Sequence, residues 1–479
     1  MCLRILLFMP HFCLTRLFEA HVMPEIEALD LARLQFASTV MFHIIFLALS
    51  IGIATWLAIM EGLWLKTGNP IYRALYRYWI PHFTLNYAAG VVSGVIMAFE
   101  FGANWSGFAH HAGGINGVLL SLEVMTAFFL EAAFFGVMVL GEGRVSRRLH
   151  FTATCMVALG AYISTFWILS SNSWMHTPAG YALQDGQFIP ANWWRVIFNP
   201  SQPYRFVHML LAAMITSGFA IASLAAWHLL KNRRDPVARK MLSMALWILT
   251  ITVPLQIIAG DLQGLSVKEH QPVKLAAMEG HWRVEPERAG MPMTLIAWPD
   301  MEAAQNRFSV EIPYLSSIYL THSLTGKVQG LESFSRDDWP NVPLVFWAFR
   351  VMIFLGFAMA GIVLISLWLR YRGQLYQRRW FLYLMVPTMP IGAIAMEAGW
   401  VTTESGRQPW IIYGLLRTAD GVSDYSVQTL AWSLITLTTV YTLIFTMGAI
   451  FFFRIARKAP QEALSEEDQA ALAHDHPGY

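Results

Sequence analysis

Eight ionisable side chains stand inside long apolar stretches of this sequence: His43, Glu100, Glu123, Glu131, His208, Arg350, Glu397 and Glu404. Charged or chargeable groups are costly in hydrocarbon and tend to mark sites or pathways there. Placed by helical rise, His43 falls about two turns below the outer end of the first apolar segment. His208 stands at the outer start of the fifth. Arg350 and Met352 lie about three turns into the seventh, and Glu404 closes the eighth at its outer end. Two histidines, a methionine and a glutamate therefore gather in one half of the membrane. A His–Met pair makes a six-coordinate, electron-transferring haem iron, and a single strong ligand leaves a position open for oxygen. Taken singly, each histidine is more often a packing residue, and Met352 is one of 24 methionines. Only the joint arrangement points to iron.

Glu123 and Glu131 share the segment "SLEVMTAFFLEAAFFG". On a regular helix they differ by about 80° and about 12 Å, so they line one side of it. Two membrane carboxyls in such a ladder can pass protons, or can simply hydrogen-bond neighbouring helices. Glu100, in "MAFEFGANW", is expected to face interfacial water. The stretch "GWVTTESGRQPW" at 399–410 puts Glu404 and Arg407 between tryptophans where an apolar segment ends. That is either a solvated helix end or a carboxylate site with a cation to answer its charge.

The elements that must carry these residues are membrane helices. The chain has 479 residues, 56% hydrophobic and only 13% charged, against roughly 25% charged in soluble domains. Its net charge of +2 gives no case for nucleic acid. Cys2, Cys13 and Cys155 form no paired spacing, so neither a disulfide framework nor an iron–sulfur site is indicated. At roughly 20 apolar residues per crossing, about nine spans are expected: 35–64, 82–104, 115–140, 150–173, 206–230, 241–262, 342–370, 380–403 and 427–453. The fold class is an all-α integral membrane protein, a nine-helix bundle with one long external loop. The organisation is an N-terminal extension at 1–30, spans one to six within 31–262, a loop at 263–341, spans seven to nine within 342–455, and a polar tail at 456–479. Residues 1–30 resemble a short basic, apolar leader without a convincing cleavage site, and a true start at Met23 is an alternative. Lys and Arg crowd every second connection and the carboxyl end, while the link between spans two and three has none. By the positive-inside rule the amino end faces outward, the carboxyl end faces the cytoplasm and the 263–341 loop is external.

Seven pieces, in order, give the chain a resemblance: "LARLQFASTVMFHIIF", "FEFGANWS", "LEVMTAFFLE", "YRFVH", "VKLAAMEGHW", "FWAFRVM" and "GWVTTESGRQPW". Over about residues 30 to 455 the sequence resembles subunit I of the cytochrome bd-type quinol oxidases. The resemblance implies an enzyme of a bacterial cytoplasmic membrane that oxidises quinol and reduces dioxygen to water. Charge is then separated across the membrane without a pump. It implies a low-spin haem b held by His208 and Met352, and two high-spin haems, one b and one d, served by His43 and Glu404. Which of those two takes which haem is left open. It implies that Lys274 and Glu279 belong to a quinol-binding loop, with Glu279 a proton acceptor and Lys274 an orienting donor. Glu123 and Glu131 match acids of a proton route, and Arg350, Trp400 and Arg407 match residues beside the haems, where guanidinium groups answer propionate charge. The family works with a second large subunit, and some members add a small single-helix one.

Two departures stand out. The external loop lacks the insertion that one branch carries after "EIPYLSS", as in the cyanide-insensitive branch, where haem d is scarce or replaced by haem b. Glu100 stands where glutamine is usual, and Ala98 where some members carry glutamate. Other classes remain open from the residues alone: a secondary transporter with intramembrane carboxylates, or a haem b membrane anchor that never meets oxygen. No internal repeat favours the transporter.

Overall fold

The computed structural model describes residues 27–284, 287–466 and 468. Nine helices among them are long and apolar enough to cross a membrane. They are α1 Ala28–Thr67, α2 Pro70–Ala103, α3 Ser106–Leu140, α4 Arg147–His176, α5 Gln202–Lys231, α6 Pro236–His270, α7 Val342–Tyr371, α8 Arg379–Ser405 and α9 Val427–Ala456. The nine-span expectation holds. Most of the N-terminal extension (1–26) and the end of the tail, with its two histidines, lie outside the described residues.

Sequence sets the helix starts in the tight connections. Gly68 leaves α1 in the left-handed region at φ 69°, a conformation open to glycine. Asn69 then caps α2 by accepting from the Ile71 amide, with Pro70 at the first turn. Asp235 and Pro236 repeat the device for α6, and Ser146, Asn341 and Ser426 cap α4, α7 and α9. Four spans outrun expectation most: α1 starts at Ala28 rather than at 35 and α3 at Ser106 rather than at 115, and α2 and α6 differ as well. Helix α2 begins at Pro70 rather than at 82, and carries Pro81 within it. Helix α6 continues through its polar end to His270, where Pro272 follows. In both, the hydrogen-bond ladder outlasts the apolar run.

The long connection therefore starts at 271, and it is folded. It holds a helix at Pro272–Glu279, an antiparallel hairpin of Met293–Asp300 with Gln305–Ile312, and a helix at Leu315–Thr321. Gly280, at φ 66°, ends the first of these against the Phe346 ring of α7. Small hairpins at 181–190 and 410–417 roof the same end of the bundle. The main core lies among α1, α2, α5, α6, α7 and α8. Met396 and Trp400 of α8 pack with Ile44, Ala48 and Met209, tying α1, α5 and α8 together beside His43 and His208.

Candidate functional site

The 271–341 end of the bundle gathers charge around Glu404. Its Oε1 accepts from Asn172 Nδ2 and His176 Nε2, each at 3.0 Å, and its Oε2 accepts from Arg407 at 2.5 Å. Lys274 Nζ donates to Gln271 Oε1 at 2.6 Å and meets His176 Nδ1 at 3.1 Å. Lysine can only donate as an ammonium, so His176 accepts at Nδ1 and carries its proton on Nε2, toward Glu404. Arg205 reaches Asn172 Oδ1 at 3.4 Å. Gly406 makes room: a Cβ there would stand 2.8 Å from Lys274 Cγ. Burial first, then the Arg205 charge, holds the Lys274 ammonium well below the usual lysine range, with Glu404 pulling the other way. Four helix ends and the 272–279 helix thus supply one patch, with three cations around one carboxylate.

Arg350 and Glu279 form a second cluster. Both are fully buried, with Nη2 3.2 Å from Oε2, and Arg350 Nε donates to the Thr294 carbonyl at 2.7 Å. Sequence reading puts Lys274 and Glu279 together on one loop. The structure keeps them on one short helix but buries both and sends them to different clusters. Burial, then Glu279, pushes the Tyr319 hydroxyl well above its usual range, and burial lowers His281.

The four metal-ligand candidates lie on four spans, α1, α5, α7 and α8. No group of three or more His, Cys, Asp or Glu side chains suited to a bare ion occurs among the described residues. Separate single ligands suit an iron carried by a macrocycle that brings its own nitrogens. Three of the four face a bare glycine on a neighbouring helix. A Cβ on Gly94 would lie 3.0 Å from His43 Cε1, one on Gly260 3.4 Å from His208 Cε1, and one on Gly399 3.0 Å from the Met352 sulfur. His43 is oriented as a ligand should be. The Ser93 hydroxyl spends its proton on the Ala89 or Gly90 carbonyl, so its oxygen accepts from His43 Nδ1 at 3.0 Å. That leaves Nε2 as the nitrogen with a free lone pair.

The surrounding buried atoms fit a haem with acidic side arms. Among the described residues Arg205 Nε, Arg407 Nε and Nη1, Arg350 Nη1 and Gln271 Nε2 lack hydrogen-bond partners. Unsatisfied buried donors are expensive, and a cluster of them calls for an anionic acceptor.

Glu123 and Glu131 both turn toward α4. Ser164 donates to Glu123 Oε1 at 2.7 Å, and Glu131 lies against Gly160, where a Cβ would stand 2.4 Å from its Cγ. Regular helix geometry leaves about 80° between the two acids. A π turn at Val124–Phe128 takes up a residue between them and brings them onto one face. Tyr87 of α2 stands near Glu131.

Glu100 does not face interfacial water. It is 4% exposed and accepts from Thr39 at 2.8 Å and Gln35 at 3.3 Å, joining α2 to α1. Sequence reasoning also missed His176, Asn172, Arg205 and Gln271, whose only signal is their place in the last or first turns of apolar helices. Glu397, seven residues before Glu404 and so on nearly the same face, is buried with neither carboxyl oxygen partnered among the described residues.

Comparison with known proteins places the chain in a family. Residues 31–460 match the family described as cytochrome bd terminal oxidase subunit I. The chain is 32% identical to cytochrome bd-II ubiquinol oxidase subunit 1 of Escherichia coli (strain K12), covering 92% of this chain and 98% of that one. It is 32% identical to cytochrome bd ubiquinol oxidase subunit 1 of Bacillus subtilis (strain 168), over 90% and 94%. The solved structure of bd oxidase from Geobacillus thermodenitrificans superposes with a TM-score of 0.84 at 30% identity, covering 91% and 99%.

Proposed function

The chain belongs to the cytochrome bd terminal oxidase subunit I family, and we propose a division of labour among its residues for the quinol:oxygen oxidoreductase reaction of that family. The protein is a haem-bearing, multi-pass subunit of a bacterial membrane oxidase that works with a second large subunit. A transporter reading falls with that membership.

His208 and Met352 hold the low-spin haem b, and His43 and Glu404 each hold a high-spin haem, of type b or d. Haem bound there supplies electron transfer and oxygen reduction. The chain's own groups do the rest. Arg205, Arg407 and Lys274 set a positive patch at the 271–341 end, which answers propionate charge. The buried donors without partners in that patch are the observation that carries this reading. Arg350 does the same from the neighbouring cluster, while Trp400 fills the space between α1, α5 and α8. Quinol binds at the 271–341 segment, where Lys274 orients it and Glu279 takes its proton, with Arg350 holding the carboxylate in place. Glu131 and Glu123 carry protons along α4 from the basic end toward the haems.

The basic connections favour an outward amino end and a cytoplasmic carboxyl end. Quinol protons then leave outside and those for water rise from inside, so charge separates by placement alone. The short connection after 312 favours the haem d-poor branch, and a small single-helix subunit completes the assembly as in some members. The test is oxygen consumption driven by quinol in the purified complex. Glu131→Gln should slow it by about a hundredfold while haem content stays intact. Full turnover in that variant would overturn the route.

A further inference from the structure

The proton route just proposed begins at Glu131, well inside the bundle, and says nothing of how protons reach it. A buried ionisable pair at the basic end does. Glu61 of α1 is 2% exposed and His150 of α4 is 5% exposed. His150 Nδ1 lies 2.7 Å from Glu61 Oε1, and Thr154 donates to Glu61 Oε2 at 2.6 Å. Tyr76 of α2 sits 3.3 Å from the Thr154 hydroxyl, donates to the Met138 carbonyl at 3.1 Å, and meets the His150 ring edge-on. The remaining imidazole nitrogen, Nε2, is buried with no hydrogen-bond partner among the described residues.

Charge accounting says what the pair holds. A carboxylate with a neutral imidazole leaves one net negative charge in a buried site, which is costly. One added proton makes the pair neutral, whether it rides on the ring or on the carboxyl. Give that proton up and the site draws another. The charged or titratable groups that act on it are Tyr76 from α2, Glu142 from the connection after α3 and Cys155 from α4, with Arg73, Arg77 and Arg147 beyond them. Arg73 and Arg77 are both engaged by Glu142, and Arg147 lies over Trp64.

The pair stands at the foot of the elements that position the two acids of the proposed route. Helix α4 carries His150 and Thr154 low, then Gly160 beside Glu131 and Ser164 bonded to Glu123. From His150 to Ser164 is about 21 Å of rise, most of a hydrocarbon core of about 30 Å. Helix α2 repeats the two levels: Tyr87, near Glu131, follows Tyr76 by eleven residues, hence about 20° away and about 16 Å higher. Between Thr154 and Gly160 the climb is about 9 Å, a gap that about two or three bridging waters span.

We propose that the Glu61–His150 pair is the inlet of the proton route, taking protons from water at the basic end and releasing them toward Glu131. A proton arrives at His150 Nε2, the Nδ1 proton passes to Glu61 Oε1 and the carboxyl proton leaves toward Glu131; rotation of the imidazole then turns its remaining N–H to Glu61 and its bare nitrogen to the entry side before the next proton arrives. Thr154 and Tyr76 position the carboxyl. The inference rests on Glu131 belonging to the route.

The experiment compares Glu61→Gln, Glu61→Asp, His150→Gln and Glu131→Gln in the complete oxidase complex. It reads quinol-driven oxygen consumption, its solvent deuterium isotope effect and the visible haem spectrum. The inlet predicts a fall of about tenfold or more in Glu61→Gln and His150→Gln, a larger isotope effect, an intact haem spectrum, and partial recovery in Glu61→Asp. Full rates with an unchanged isotope effect in Glu61→Gln and His150→Gln, beside a slow Glu131→Gln, overturn the inlet and leave the route standing. Full rates in all four overturn both. Where Glu61→Gln fails to assemble, His150→Gln decides. Failure of both to assemble, with Glu61→Asp active at the parent isotope effect, assigns the pair to folding and overturns the inlet.

Discussion

Gly399→Ala tests the Met352 assignment without touching the ligand. The added Cβ would stand 3.0 Å from the Met352 sulfur, against an optimal non-bonded separation of about 3.5–4.0 Å. The thioether must therefore retreat by about 0.5–1 Å. Alanine gains about 0.5–1 kcal/mol over glycine within a helix, while overpacking costs about 1–3 kcal/mol, so the net cost is about 0–2.5 kcal/mol. It falls on Met352, whose flexible side chain is the softest part of the contact. The assay is the reduced-minus-oxidised visible spectrum beside total haem. Low-spin absorbance should weaken or shift while haem content holds, because His208 is untouched. Gly260→Ala is the control. Its Cβ would meet His208 Cε1 at 3.4 Å, an ordinary contact, and its spectrum should stay near the parent. An unchanged spectrum in Gly399→Ala, or equal disturbance in both variants, would refute the reasoning.

Other perturbations separate the clusters. Glu279→Gln strips the partner from the fully buried Arg350 and should destabilise the protein by about 3–5 kcal/mol, read as faster thermal inactivation in detergent; an unchanged rate would contradict the pair. Ser93→Ala removes the acceptor that orients His43 and should weaken retention of the haem it serves by about 10–100-fold, measured by haem loss on dilution, with the His208 haem retained. Burial raises Glu142, but hydrogen bonds from Arg77 and Arg73 outweigh it and set its carboxyl below the usual range. Its folded pKa is thus depressed, and its stabilisation is present above the unfolded value near 4.3 and lost as pH falls through the folded one. Glu142→Gln should therefore cost about 1 kcal/mol at pH 7, with the gap to the parent closing in melts taken below about pH 4.

The spans were legible because a membrane demands long apolar runs, and their ends were not because a helix can outlast its apolar stretch, as α2 and α6 do. His43, His208, Met352 and Glu404 could be picked out together by their shared depth, and proposed as ligands through the resemblance. Their support could not: His176 and Arg205 are close to Glu404 only after four helix ends and a folded connection converge. Nor does the sequence announce the π turn at 124–128, which alters the angle between Glu123 and Glu131. The alternation in 293–312 was hidden by its polar surroundings, so a hairpin was read as loop. Glu61 and His150 look like terminal-turn charges until their burial is seen.

The central claim is that separate spans grip haem iron at one end of the bundle. Pyridine haemochrome analysis with reduced-minus-oxidised spectra, on the purified complex and on His208→Ala, tests it most directly. The account predicts three haems in the parent and selective loss of the low-spin signal in the variant, with the high-spin signals kept. A parent without haem, or a variant whose low-spin signal is intact, would contradict it.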